Sequence, residues 1–131
     1  MQSAIYNFQT SIPFAYWGEP AMVWPDEVSA VFQDELDALT TAGQYMGRQW
    51  ISADYRSFDL QSPDLAVVTV RETWEDTLYE LGLAGYPDFD DPVIGRRGPY
   101  TLDATYTLER GPDGWQVTGL VLEGEAPDWE E

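Results

Sequence analysis

The 131-residue sequence has no cysteine, no histidine and no lysine. Without cysteine there is no disulfide, no thiolate nucleophile and no thiolate-bound metal. Without histidine, a Ser-His-Asp triad, a His–Asp base pair and the common zinc sites are excluded. Without lysine, the fixed cations are six arginines set against 24 acids, for a formal net charge of -18. A surface this acidic repels phosphate backbones and anionic headgroups. Nucleic acid is therefore excluded as a partner, and neutral or basic proteins or small apolar ligands are favoured. Long apolar runs are also missing. None approaches the ~18–20 residues that span a bilayer, so no membrane insertion is expected within this chain. The opening MQSAIYNFQTS has no basic region and no apolar core of a signal peptide. That points to the cytoplasm, or to an extracytoplasmic site if the chain belongs to a longer anchored protein.

What is present is core material. Apolar residues make up 44% and aromatic residues 15%, with six Trp, eight Tyr and five Phe, which is enough for one folded domain over residues 1–131. Ile5, Phe8, Ile12 and Tyr16 recur at helical spacing over 3–17, although Pro13 predicts a kink or break there. A second helix is predicted over 25–42. Pro25, Asp26 and Glu27 suit its positive end, Val28, Val31, Phe32, Leu36 and Leu39 form its buried stripe, and Gly43 stops it.

After Tyr45 the period changes to two. Residues 47–58 read as a strand with Ile51, Ala53 and Tyr55 opposing Trp50, Ser52 and Asp54. Residues 65–80 read as a second, with Ala66, Val68, Val70, Glu72, Trp74 and Leu78 on one face. Residues 82–98, rich in Gly and Pro, read as a long loop. Tyr100, Leu102, Ala104, Tyr106 and Leu108 then alternate with Thr101, Asp103, Thr105 and Thr107, the mark of one buried and one wet face. GPDG at 111–114 turns the chain back through Trp115–Leu122. Residues 124–131 form an acidic, solvated tail from which Trp129 can dock back. Two or three helices followed by a four-strand meander give an α+β fold, with helices on one face of a curved antiparallel sheet.

The runs AVVTVRETWEDTLYEL and YTLDATYTLERGPDGWQVTGL, with LDALTTAG upstream, resemble the nuclear transport factor 2-like superfamily over roughly residues 26–122. The branch they resemble includes the intermembrane-space domain of a chloroplast division protein and its bacterial relatives. The resemblance implies a cone: a curved sheet wrapped over helices, with a cavity open at one end. It implies no single activity, because relatives include enzymes on small apolar molecules, protein-binding domains and sensors.

Several side chains stand out as candidates. Glu72 on an inward strand face needs a partner, because burying an isolated charge is costly. It reads either as a cavity acid or base beside Trp74, facing Tyr106, or as a strand-end group paired to Arg. Arg96 and Arg97 in GRRG read as a small cationic patch for an anion or acidic partner, or as compensation for Asp88, Asp90 or Asp91. Those three acids lack the spacing of a calcium loop, so no metal and no cofactor is expected. Most tryptophans suit a core; Trp24, between Pro20 and Pro25, is expected to be partly exposed and to meet a partner.

The favoured function is a non-catalytic binding, assembly or sensor domain, and a homodimer through the sheet is one arrangement open to it. Two other classes stand beside it. One is an acidic inhibitor or nucleic-acid mimic that covers a basic protein surface. The other is a cofactor-free enzyme using Glu72 or Asp54 as base and Tyr55 or Tyr106 as hydrogen-bond donor.

Overall fold

Two helices and four strands follow one another in the computed structural model, which describes residues 2–17, 22–82, 85, 87–88 and 90–130. Helix α1 (Gln2–Tyr16) buries Ile5, Phe8, Ile12 and Tyr16 along one stripe, and with them Gln9 and Ser11. The break expected at Pro13 does not occur. Only one turn follows it, and Trp17 N–H still reaches the Pro13 carbonyl at 3.1 Å. Helix α2 (Asp26–Ala42) starts after Pro25, with Asp26 and Glu27 in its first turn, and ends at Gly43. Gly43 has φ 69° and returns its N–H to Leu39 and Thr40, a left-handed cap that favours glycine. Val28 and Phe32 are buried and Leu36 and Leu39 half-buried, but Val31 faces solvent. It lies about 100° round the helix from Phe32, on the flank of the stripe. No third helix occurs among the described residues.

The strands are β1 (Gln44–Ser62), β2 (Leu65–Glu80), β3 (Val93–Gly111) and β4 (Gly114–Glu123), all antiparallel neighbours in the order β1-β2-β3-β4. Both helices touch both edge strands, so the sheet curls over them. Its inner face carries Ala66, Val68, Val70, Glu72, Trp74, Asp76 and Leu78 from β2, all buried. From β3 it carries Tyr100, Leu102, Ala104, Tyr106 and Leu108, also buried, while Thr101, Asp103, Thr105 and Thr107 are wetter. The alternation read from the sequence therefore sets both faces correctly here.

In two places it does not. The ladder between β1 and β2 slips at Ile51, Arg56 and Gln61. Each slip resets which side chains face inward, so the simple alternation over 47–58 fails. Trp50, Ala53, Tyr55, Phe58 and Leu60 end opposite Trp74, Glu72, Val70, Val68 and Ala66, on the inner face. The second correction concerns 82–98. Residues from Val93 onward are strand, not loop: Arg96 and Arg97 pair with Thr77 and Asp76 of β2. Gly82, Gly85, Pro87 and Pro92 precede the strand, whereas Gly98 lies within it at an irregularity of the ladder. Gly98 has φ 103°, and a Cβ there would meet the Trp74 carbonyl at 2.8 Å.

The acidic tail is not wholly solvated. Arg96 and Glu130 exchange two backbone hydrogen bonds, of 2.8 and 2.7 Å. Trp129 stacks over the Arg97 guanidinium at 4.1 Å and covers Gly95.

Candidate functional site

Two buried carboxyls lie on the inner face of β2, one on either side of Trp74. Glu72 is 1% exposed and Asp76 0%. Glu72 is held without a cation. Its Oε1 accepts from the Trp74 indole at 3.1 Å, and its Oε2 from the Gln9 amide of α1 at 2.7 Å and from the Tyr106 hydroxyl of β3. Three donors to one carboxylate replace the water that burial removed. Glu72, Trp74, Tyr106 and the first helix thus meet, as the sequence suggested. They fill a packed core rather than line an open cavity, with Phe8 edge-on to Tyr106 at 5.7 Å. Burial, reinforced by the Glu72 charge, pushes the Tyr106 hydroxyl well above its ordinary pKa, so it stays a donor.

Asp76 is held by cations. Arg48 Nε reaches Oδ1 at 3.1 Å, Arg97 Nε reaches Oδ2 at 2.8 Å, and the Tyr100 hydroxyl donates to Oδ2. Arg48 also donates to Tyr100 at 2.9 Å and lies 4.6 Å from the Trp74 ring centre. Arg97 reaches on to Glu35 of α2 at 3.2 Å, and Glu35 accepts from the Tyr16 hydroxyl at 2.7 Å. Burial is the largest single influence on Arg48 and opposes its charge, but Asp76 together with Tyr100, Tyr16 and Glu35 outweighs it and holds the guanidinium protonated. Burial pushes Tyr100 up to about 12, offset in part by Arg48 and reinforced by Asp76. The network ties α1, α2 and three strands to one point.

Sequence reasoning missed Asp76 and Arg48. Asp76 shares the parity of Glu72, Trp74 and Leu78, so carrying that alternation through would have found it. Arg97 does compensate charge, but with Asp76 and Glu35 rather than with Asp88, Asp90 or Asp91. Arg96 is exposed and points away from that network, so the two arginines do not form a joint cationic patch. Asp91 instead accepts from the Tyr45 hydroxyl at 2.7 Å and the Asp88 N–H at 2.9 Å, which ties the loop to β1. Trp24 is partly exposed, as expected, and donates to Ser11 at 2.9 Å while packing on Phe8 and Phe32. Asp54 is exposed and lies 3.3 Å from Arg56.

Three grooves follow the seam between α1 and the edge strand β1. One of about 670 Å³ lies by Ile5, Tyr55, Phe58 and Val68, and one of about 410 Å³ by Tyr6, Gln9, Trp50 and Tyr55. The third, about 500 Å³, lies at the other end of the helix by Phe14, Trp17, Gly47, Glu75 and Tyr79. Neither Glu72 nor Asp76 lines any of the three. Past Trp50 the inner face of β1 is largely uncovered: Tyr55, Phe58 and Leu60 are 40%, 57% and 51% exposed. That apolar row is the open end of the curled sheet.

No family model and no curated protein matches the chain. Among solved structures, it is similar to the intermembrane space region of the chloroplast protein ARC6. The likeness has a TM-score of 0.67 and 12% identity, and it covers 95% of this chain and 94% of that one. It establishes a shared fold: two helices on an open four-stranded antiparallel sheet.

Proposed function

We propose that this chain is a non-catalytic protein-interaction domain of the nuclear transport factor 2-like kind, which binds a neutral or basic partner through the open end of its sheet. The observation that carries the reading is the uncovered row of Tyr55, Phe58 and Leu60 on the inner face of β1. Apolar side chains on that face are buried everywhere else along β2 and β3. Leaving about half of each in water forgoes apolar burial worth about 0.7–1.5 kcal/mol apiece unless something covers them. The internal chemistry supports the same reading. Glu72 and Asp76, the groups best placed for acid–base work, are saturated by donors of the core and face no groove.

The test is photo-crosslinking in the source cell. A benzophenone side chain placed at Phe58 is expected to yield one discrete protein adduct, identified by mass spectrometry. The same group at Gln116 on the opposite edge strand is expected to yield none. The purified partner should then lose binding to a Phe58→Ser, Leu60→Ser variant that keeps its melting temperature. Equal adducts from both positions, or a partner indifferent to the double substitution, overturns the proposal.

A further inference from the structure

The groove at the far end of the seam has a different character from the apolar row. Helix α1 ends there, and Trp17 reaches round the edge of β1 to pack on its outer face. Its ring lies 5.0 Å from Tyr45 and 5.8 Å from Tyr79, both edge-on. Gly47 forms the floor: a Cβ there would stand 3.3 Å from the Tyr79 ring and 3.6 Å from the Trp17 ring. Phe14, half-exposed, stands at the rim. Glu75 opposes Gln49 across the ladder and lines the same groove, half-buried, and no ion pair within the described residues answers it. Arg48 also lines the groove, but its guanidinium is committed inward to Asp76 and Tyr100 and its side chain is 5% exposed. The result is a recess of about 500 Å³ with aromatic walls and one uncompensated carboxylate, on a protein of net charge -18.

We infer that this groove receives an arginine side chain of a basic protein partner. A guanidinium meets every feature of the recess. It is drawn by the acidic field, it takes a carboxylate in a two-pronged bond, and its weakly hydrated plane lies against aromatic rings. A neutral apolar side chain would leave Glu75 desolvated and unpaired, which is costly. A second copy of this chain is disfavoured by the repulsion between two strongly acidic surfaces. The inference rests on the reading of the chain as an interaction domain and adds the chemistry of the partner. Gly47 and Phe58 stand eleven residues apart on β1, about 36 Å if the strand were fully extended. A partner spanning both would place its arginine well away from its apolar anchor.

The test uses small probes on the intact chain, so it does not depend on finding the partner. N-acetyl-arginine methylamide is titrated at low salt while the Trp17 indole resonance is followed by NMR. Its neutral isostere, N-acetyl-citrulline methylamide, and N-acetyl-lysine methylamide are run alongside. A millimolar site perturbing Trp17 is expected, at least fivefold weaker for citrulline and at least threefold weaker for lysine. Glu75→Gln should weaken the arginine probe about fivefold, and Gly47→Ala, which fills the floor, by a similar factor. Asp113→Asn, in the distant hairpin turn, should leave it unchanged. Equal binding of citrulline or lysine, or an equal loss in Asp113→Asn, overturns the inference. So does binding that never moves Trp17. Because crosslinking at Phe58 does not involve Glu75, failure here leaves the interaction reading standing, and failure there leaves this site standing.

Discussion

Glu72→Gln removes one charge and almost no volume from the core, and the cost is set by the donors around it. The carboxylate accepts from three groups: Trp74 on Oε1, and Gln9 and Tyr106 on Oε2. A glutamine amide has one oxygen and one NH2 in those places. With its NH2 in the Oε1 place the new amide faces the Trp74 N–H; with its NH2 in the Oε2 place the Gln9 amide can turn over to accept, but the Tyr106 O–H loses its acceptor. One buried donor is then left unpaired, at about 1–3 kcal/mol, and the surviving bonds lose their charge assistance. Relief from burying a charge works the other way. The expected net loss is therefore about 1–3 kcal/mol rather than the full sum of three charged bonds. For a chain of 131 residues, unfolding entropy of about 0.28 kcal/mol/K converts this to a fall in melting temperature of about 4–11 °C. Calorimetry on the variant, on Tyr106→Phe and on the double variant tests it. The double variant should lose less than the two single losses added, by at least about 0.5 kcal/mol, an order of coupling usual for groups in one network. A Glu72→Gln protein as stable as the parent would refute the argument. It would mean that the three donors do not stabilise the carboxylate more than its burial costs.

Other outcomes rest on the same structure. Leu102→Ala, on the buried face of β3, should cost about 2–5 kcal/mol in urea unfolding, and a near-neutral midpoint would place the core elsewhere. With 24 acids against six arginines, the melting temperature should rise from low salt to a few tenths molar NaCl as self-repulsion is screened. A steady fall would show the acids locked in attractive pairs. Tyr16, Tyr45, Tyr100 and Tyr106 all have raised pKa values, chiefly through burial, Tyr45 and Tyr100 to about 12. Their stabilisation is complete below the ordinary tyrosine value of 10.0 and is lost as pH climbs to 12 and beyond. Tyrosinate absorbance should therefore rise together with loss of near-ultraviolet circular dichroism in that window. Reversible ionisation of all eight tyrosines near pH 10 without unfolding would contradict it.

The readable parts of the sequence were those where one rule acted alone. On β3 the strict alternation from Tyr100 to Leu108 faces helices on one side and water on the other, so period and burial coincide. On β1 three slips intervene, and nothing local announces them; each depends on how β2 is matched across the ladder. Residues 93–98 carry Gly95, Gly98 and the adjacent Pro99, which locally favour a turn. The long reach of β2 to Glu80 gives them a partner, and tertiary pairing prevails over propensity. The candidate site divides in the same way. Glu72, Trp74 and Tyr106 were visible because they share a parity on adjacent strands. The Arg48–Asp76–Arg97–Glu35 chain was not, because its members lie up to 62 residues apart and belong to four different elements.

The three slips along β1 also bear on how this protein behaves when crowded. An exposed edge strand of nineteen residues, with Tyr55, Phe58 and Leu60 in water, has the ingredients of a fibril seed. Stacking into a cross-β spine needs about six or seven residues held in one continuous pleat. Beyond Trp50 the longest unbroken stretches are Ser52 to Tyr55 and Ser57 to Leu60, four residues each, with charged Asp54, Arg56 and Asp59 within or between them. The apolar side chains are thus displayed on a ladder too broken to be copied. Deleting Arg56 alone would join the two stretches into one eight-residue pleat, and would turn the uncovered apolar row into a template for its own aggregation.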